Sequence, residues 1–459
     1  MAMPRTGRRT TAASADAPTR ARDPHFDDPR LRYEELSADR RQETEVDKLP
    51  HLRLTALVQQ AQMPESGGML AMPAVPGTSN WVQLGPTAIP NGQSQGGTAR
   101  ILVTGRLTGI ALHPTSPQVM YIAAARGGVW RTTDGGDHWV PLTDNEVSLA
   151  IGAIALAPSN PQVLYAGTGE GNLVLYQQVF PLNAAPASYQ GAGVLNSVNG
   201  GTTWTCQGAA EFTGAAFFRI AVHPTNRNTA WTATSAGLFR TTDGGANWAL
   251  MAGGLPAIGG SVIAASDVVL DPANPDIVYT AFFGGGVFRT TTGNAAAPGW
   301  AAQPLPLPAS QNVGRIALGL APSSPSKVYA LLAGGAGGNL ENVLGLYECG
   351  AAGAWTQVAV SLAGLGQQSS YNLNVAVDPT TPDIVYLSAL TLLKVTRNPI
   401  TGVWSSVNLG QGLHADHHAF GFDPTNHLVI YDLSDGGIYK STDGGTTWMD
   451  RINRDICIT

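Results

Sequence analysis

One short pattern constrains this chain more than any other feature. An apolar run is followed by a proline, a polar stretch that often holds a second proline, and then an aromatic residue. It reads HPTSPQVMY (113–121), APSNPQVLY (157–165), HPTNRNTAW (223–231), DPANPDIVY (271–279), APSSPSKVY (321–329), DPTTPDIVY (378–386) and DPTNHLVIY (423–431). The seven copies lie 44 to 66 residues apart. A repeat of that period marks one supersecondary unit per copy, each unable to bury its apolar face except against its neighbours.

A second motif follows the first. TTDGGDHW (132–139), SVNGGTTW (197–204), TTDGGANW (241–248) and STDGGTTW (441–448) share Ser/Thr-x-Asp/Asn-x-Gly-x-x-Trp, and degenerate copies end at Trp300, Trp355 and Trp404. Asp or Asn caps backbone N–H groups in a tight turn, and Gly supplies the positive φ. The Trp re-enters on the next strand and buries a large ring beneath the turn. Asp134 with Trp139, Asn199 with Trp204, Asp243 with Trp248 and Asp443 with Trp448 are therefore expected to be structural.

Each unit reads as four strands. Strand A runs into the proline turn, strand B carries the aromatic residue, strand C leads into the Asp turn, and strand D starts at the Trp. Four short antiparallel strands repeated seven times predict an all-β, seven-bladed β-propeller. No 3.6-residue period supports a helical solenoid. An eighth strand-D signal, NWVQLG, stands at 80–85. Because Trp448 already provides a strand D for the seventh unit, either Trp81 or Trp448 is surplus to a seven-blade ring.

Residues 1–60 hold 11 Lys/Arg and 10 Asp/Glu, of 26 and 32 in the whole 459-residue chain. This uneven spread separates an N-terminal extension (1–63) and a linker (64–79) from the propeller (80–459). The extension is expected to be disordered at first and partly helical over 31–62, broken near Pro50, with Leu52, Leu54, Leu57 and Val58 as a weak apolar face. Arg8-Arg9 is followed by no apolar stretch, so no export signal is read there, and localisation in the cytoplasm is the default. A net charge of −6 gives no basic surface for nucleic acid, and no apolar run reaches the length of a membrane span. Cys206, Cys349 and Cys457 show neither metal-ligand spacing nor a disulfide framework. Oligomeric state is not legible.

The wording of the repeats resembles the Asp-box (BNR) propeller superfamily, which includes sialidases, sortilin-type receptors, xyloglucan-cleaving glucanases and a photosystem assembly factor. The likeness is greatest to bacterial propellers described as glycosyl-hydrolase-like. It rests on WVQLGP (81–86), RGGVWRTTDGGDHW (126–139), GTGEGN (167–172), YQGAGVLNSVNGGTTW (189–204) and the stretch from HADHHAFGFDPTN (414–426) to SDGGIYKSTDGGTTW (434–448), and spans about residues 80–459. It implies the fold strongly and the activity weakly, since one scaffold hosts many functions. It also implies export, against the missing signal, and relatives that run on into further blades. Two enzyme subfamilies are departed from. ARIL (99–102) stands in place of the sialidase Arg-Ile-Pro stretch, and Ala125-Arg126-Gly127-Gly128 lacks the acid that xyloglucan-cleaving enzymes place before Gly-Gly.

Topology puts the proline and Asp turns on one face of the disc and the B–C and D–A loops on the other, where a binding site is expected. Candidate ligand-binding residues there are Arg106, Arg126, Asn172, Tyr189, Arg219, Asp267, Arg315 and His417, with Tyr176 in the same long insertion (168–195). Arg106 and Asp416 each lie eight residues before their proline, so they are equivalent positions on different blades. Glu170 is a candidate acid or base, with Asp416 or Asp435 as partner, since glycosidases flank the scissile bond with two carboxyls. In HADHH, strand alternation points His414, Asp416 and His418 to one side and His417 to the other. Two imidazoles and a carboxylate on one face suit a divalent metal; the plainer alternative is a hydrogen-bonded lining of the channel mouth. Three readings follow, in order: a binding or scaffold propeller for a glycan or protein ligand that needs no cofactor, a glycoside hydrolase, and a metal-dependent enzyme.

Overall fold

The computed structural model describes residues 53, 55–59, 88–97, 100–171, 189–258, 261–307, 311–335, 342–350, 353–366 and 368–458. The chain divides into units 1–42 and 43–459, and every described residue lies in the second. Trp81, Asn172, Tyr176 and most of the N-terminal extension fall outside the described residues. Within the extension, residues 55–59 are helical, with Leu57 half-buried and Val58 49% exposed, while Leu52 and Leu54 lie outside the described residues. Among the described residues no helix is long and apolar enough to cross a membrane.

Seven antiparallel sheets, one per repeat, form the blades of a propeller, each with its strands in sequence order. The first strands are Leu107–Leu112, Ile151–Leu156, Phe217–Val222, Ala265–Leu270, Val313–Leu320, Asn374–Val377 and His417–Phe422. Each lies against the corresponding strand of the next blade, and the last lies against the first, so these strands line the central channel. Six sheets have four strands and the seventh has three. The fourth strand of blade 7 is reduced to a single bridge, in which Lys440 and Met449 exchange backbone hydrogen bonds of 2.8 and 3.1 Å. The outer edge of blade 7 is therefore provided by the residue after Trp448.

The aromatic residue of the proline motif explains why the repeat is so regular. Tyr121, Tyr165, Trp231, Tyr279, Tyr329, Tyr386 and Tyr431 are all buried. A buried phenol must find an acceptor. Tyr121 donates to Gly200 O (3.2 Å), Tyr165 to Arg227 O (2.7 Å), Tyr329 to Pro382 O (2.7 Å) and Tyr386 to Gly444 O (3.2 Å), each acceptor belonging to the following blade. One residue thus fills its own blade and ties it to the next. The Asp turns sit beside the proline turns, as expected: Gly135, Gly200, Gly244 and Gly444 donate to Gln118, Gln162, Asn228 and Leu428 carbonyls at 2.9 Å. In the first turn Asp134 accepts from His138 N (2.9 Å) and Thr132 Oγ1 accepts from Gly136 N (3.0 Å), while Gly135 and Gly136 hold φ of 77° and 97°. Trp139 and Trp248 are buried under their turns, and Trp204 and Trp448 are half-buried.

The seam between blades 7 and 1 is filled by residues 450–458. Ile452, Ile456 and Ile458 join Leu107, Trp130, Trp139, Leu433 and Ile438 in one apolar cluster. Trp139 Nε1 donates to Ile452 O (3.0 Å), Thr104 Oγ1 to Ile456 O (2.9 Å), and Leu102 N to Asp450 Oδ2 (2.7 Å).

Candidate functional site

Two local rules place side chains at the channel mouth. The first is the eight-residue offset before each motif proline. It selects Arg106, Ala150, Ala216, Ala264, Gly314, Tyr371 and Asp416. The polar members fall on blades 6, 7 and 1, which are contiguous around the ring, and the small members fall on blades 2 to 5. The second rule is a register shift in the inner strand of six blades, at Leu107/Gly109, Ile151/Ala153, Phe217/Arg219, Ala265/Asp267, Val313/Ile316 and His417/Ala419. A bulge adds one residue to a strand and re-aims a side chain. Thr108, Phe218, Ser266, Arg315 and His418, each inside such a shift, all line a central cavity of about 290 Å³. In blade 2 the position is Gly152, where a Cβ would stand 2.3 Å from Gly169 O, so the absence of a side chain lets the chain before Glu170 approach.

At the mouth, residues from blades 1, 2, 6 and 7 interlock. Arg106 Nη2 pairs with Glu170 Oε2 at 3.1 Å, and Arg106 Nη1 donates to the Tyr371 hydroxyl. That hydroxyl lies 3.0 Å from both oxygens of Asp435, and His418 Nε2 lies 2.7 Å from Asp435 Oδ1. The Tyr371 and His418 rings meet edge-on with centroids 4.9 Å apart. Asn372 Nδ2 donates to Asp416 Oδ1 (2.7 Å), and Arg315 Nη1 donates to Tyr371 O (2.8 Å). Glu170 is fully buried and Arg106 is 15% exposed. The relay from Glu170 through Arg106 and Tyr371 to Asp435 limits the separation of the two carboxylates to about 11 Å.

Burial sets the electrostatics. It acts against the Arg106 charge, but the fields of Glu170, Tyr371 and Asp435 outweigh it and hold that guanidinium's pKa well above its ordinary value. Burial pushes the Tyr371 phenol well above its ordinary range, although Arg106 opposes the shift. It lowers the His418 pKa, against the opposing effect of the hydrogen bond that His418 makes to Asp435. Asp267 is raised by burial, and Arg315 is brought down to about 10 by the same cause.

The other expected residues divide into groups. Arg126 stacks over the Tyr189 ring at 4.6 Å, and Glu170 N donates to Tyr189 O (2.9 Å). Arg219 Nε and Asp267 Oδ1 form an ion pair at 3.8 Å on the opposite side of the cavity. HADHH departs from simple alternation. The inner strand begins only at His417, Asp416 has a φ of 65°, and His418 is bulged. The bulge puts His417 on the face of Phe420, where its Nδ1 lies 2.6 Å from Asp432 Oδ2 with both side chains fully buried. His417 is therefore withdrawn from any ligand, contrary to expectation. His414 Nδ1 lies 2.9 Å from Ala415 O, so His414, Asp416 and His418 take separate partners. Among the described residues no three His, Cys, Asp or Glu side chains converge as metal ligands.

Tyr371, Asn372 and Asp432 were not singled out from the sequence. The signal for Tyr371 was present, since it lies eight residues before Pro379, as Arg106 and Asp416 do before their prolines. Asn372 follows it in chain. Asp432 sits in the middle of strand Ile430–Ser434 with nothing in its local pattern to mark a polar partner.

No family model matches the chain. A curated relative, the oligoxyloglucan-reducing end-specific xyloglucanase of Emericella nidulans, is 30% identical over 130 residues, 25% of this chain and 16% of that protein. Among solved structures, an ancestral GH74 enzyme superposes with a TM-score of 0.58 at 18% identity, covering 76% of this chain and 46% of that one. The Niastella koreensis GH74 enzyme gives 0.56 at 22% identity, covering 80% and 56%. The chain spans about half the length of these solved structures. What they share with it is the propeller fold.

Proposed function

We propose that this protein is a carbohydrate-active propeller that cleaves glycosidic bonds at the channel mouth, with Glu170 and Asp435 as its carboxyl pair. The observation that carries this reading is the relay Glu170–Arg106–Tyr371–Asp435, which brings carboxylates from blades 2 and 7 to one mouth. Its length accommodates the separation of either a retaining glycosidase, about 5–5.5 Å, or an inverting one, about 6.5–9.5 Å. Asp435 accepts from the Tyr371 hydroxyl and contacts His418 Nε2. Glu170 lies across Arg106 from it, and between them the two carboxyls would supply the acid and the base of the reaction. The partial similarity to a xyloglucanase supports the same class of reaction, and the Asp-turn repeats agree with membership of the Asp-box propellers. Arg126 occupies the place where that resemblance implies an acid, so the proposed pair is a different one.

The test is a glycosidase panel led by xyloglucan oligosaccharides. Glu170→Gln and Asp435→Asn are each expected to lower kcat by about a hundredfold or more. Wild-type protein that hydrolyses nothing in the panel, or turnover indifferent to both substitutions, refutes the assignment. A second reading, a glycan- or protein-binding propeller without turnover, is favoured by the burial of the pair, Glu170 being 0% and Asp435 9% exposed. It predicts a ligand on a glycan or protein array and no products.

A further inference from the structure

The wall of the cavity contributed by blades 3 to 5 is chemically unlike the mouth. There Arg219 and Arg315 face a single carboxylate, Asp267. Asp267 is already supplied with donors, since Oδ1 accepts from Val268 N and Oδ2 from Leu318 N, both at 2.8 Å. Its contact with Arg219 is an ion pair through Nε at 3.8 Å, beyond hydrogen-bonding distance. Arg219 has no other partner among the described residues. Its side chain is 39% exposed while lining the cavity, so its two Nη groups remain available to a bound molecule. The carboxylates of the mouth are matched: Glu170 by Arg106, Asp435 by Tyr371 and His418, and Asp416 by Asn372.

The surroundings define what Arg219 would hold. Phe218, raised into the cavity by the bulge, packs against Phe283 with centroids 5.3 Å apart, has the Arg315 guanidinium 5.7 Å over its ring, and provides an apolar wall of the cavity. Asn374 and Ser266 add polar groups to the same lining, and the cavity of about 290 Å³ has room for a single sugar ring. A guanidinium fork offered at one end of such a space matches a planar carboxylate with two parallel N–H donors.

We infer that the central cavity takes a carboxylate-bearing sugar, a uronic acid residue of an acidic glycan, with Arg219 as the specificity-determining contact to its carboxylate. The inference rests on the carbohydrate reading of the same site and narrows its substrate class. A neutral sugar offers the Arg219 fork only uncharged oxygens in place of a charged bidentate acceptor, which disfavours it relative to the acid.

Equilibrium binding to the full chain tests this with probes that differ chiefly in the charge of the carboxyl group: D-glucuronate against D-glucuronamide, and tetragalacturonate against its methyl ester. The acids are expected to bind about ten- to a hundredfold more tightly. Arg219→Met should reduce that ratio to about one, chiefly by weakening binding of the acids, and Arg219→Gln should behave in the same way. The acid preference should weaken as ionic strength rises. Equal affinity for acid and neutral probes, no binding of either, or a preference that survives both substitutions overturns the inference. Repeating the titrations with Asp435→Asn separates the two proposals. Acid-selective binding without hydrolysis by any form leaves this inference standing and removes the hydrolase, whereas hydrolysis of neutral glycans with no acid preference does the reverse.

Discussion

Replacing Arg106 by Met probes the mouth directly. The substitution keeps the length of the aliphatic stem and removes the charge, so Glu170 loses its ion pair at 3.1 Å and the Tyr371 hydroxyl loses a donor. Breaking a buried pair from one side costs about 3–5 kcal/mol, because the surviving charge stays desolvated. Arg106 is 15% exposed and Glu170 0%, which places the expected loss at the lower end, about 3 kcal/mol. At about 2.1 cal/mol/K of unfolding entropy per residue, a propeller of this size would lose about 4 °C in Tm. Urea unfolding and calorimetry measure both quantities. The double variant Arg106→Met/Glu170→Gln should recover at least half of the loss, because it removes the stranded charge as well. A loss below about 1 kcal/mol, or strict additivity of the two substitutions, would show that the pair is not a desolvated unit and would refute the electrostatic account of the mouth.

Three further outcomes follow from the structure. His418 is held neutral by burial, with its native pKa below the unfolded value near 6.5, so the unfolded chain binds more protons below that pH. Stability should be complete above about pH 6.5 and fall as the pH drops through that value toward the native pKa, and His418→Gln should flatten this slope in urea midpoints taken from pH 7 to 5. Asp443, whose pKa is lowered to about 2 by hydrogen bonds from the Thr447 side chain, the Thr447 backbone N–H and Ser441, works at lower pH. Its contribution is present above the unfolded value near 3.9 and disappears as the pH falls through about 2, so an NMR titration of Asp443 that gave an ordinary midpoint would contradict the capping role. Removing residues 450–459 exposes the seam beside Leu107 and Trp139. With Ile452, Ile456 and Ile458 all buried, the deletion should cost about 5–9 kcal/mol, read by calorimetry together with faster hydrogen exchange in Leu107–Leu112; unchanged exchange there would mean that the ring closes without this segment.

What was legible in the sequence is what neighbouring residues decide among themselves. Seven proline turns, the buried aromatic that follows each, and the Asp turns with their tryptophans are short-range devices, and each repeats because each blade has the same local problem of turning a strand and covering a sheet. Blade number, strand order and the face that carries the loops follow from them. The eight-residue offset even pointed to Arg106 and Asp416, and it reaches Tyr371 when carried through every repeat.

Tertiary structure decided which of those positions meet. Arg106, Glu170, Tyr371 and Asp435 are separated by up to 329 residues along the chain and come together because the ring sets the inner strand of blade 7 beside that of blade 1. The bulges lie beyond local pattern as well. A strict period of two assigns His418 and His417 to opposite sides in the wrong company, because one inserted residue shifts the register and sends His417 to Asp432 instead of the channel. Local chemistry therefore built the blades, while the site depends on closure of the ring and on a one-residue slip in its inner strands, both of which are settled by packing between segments distant in the chain.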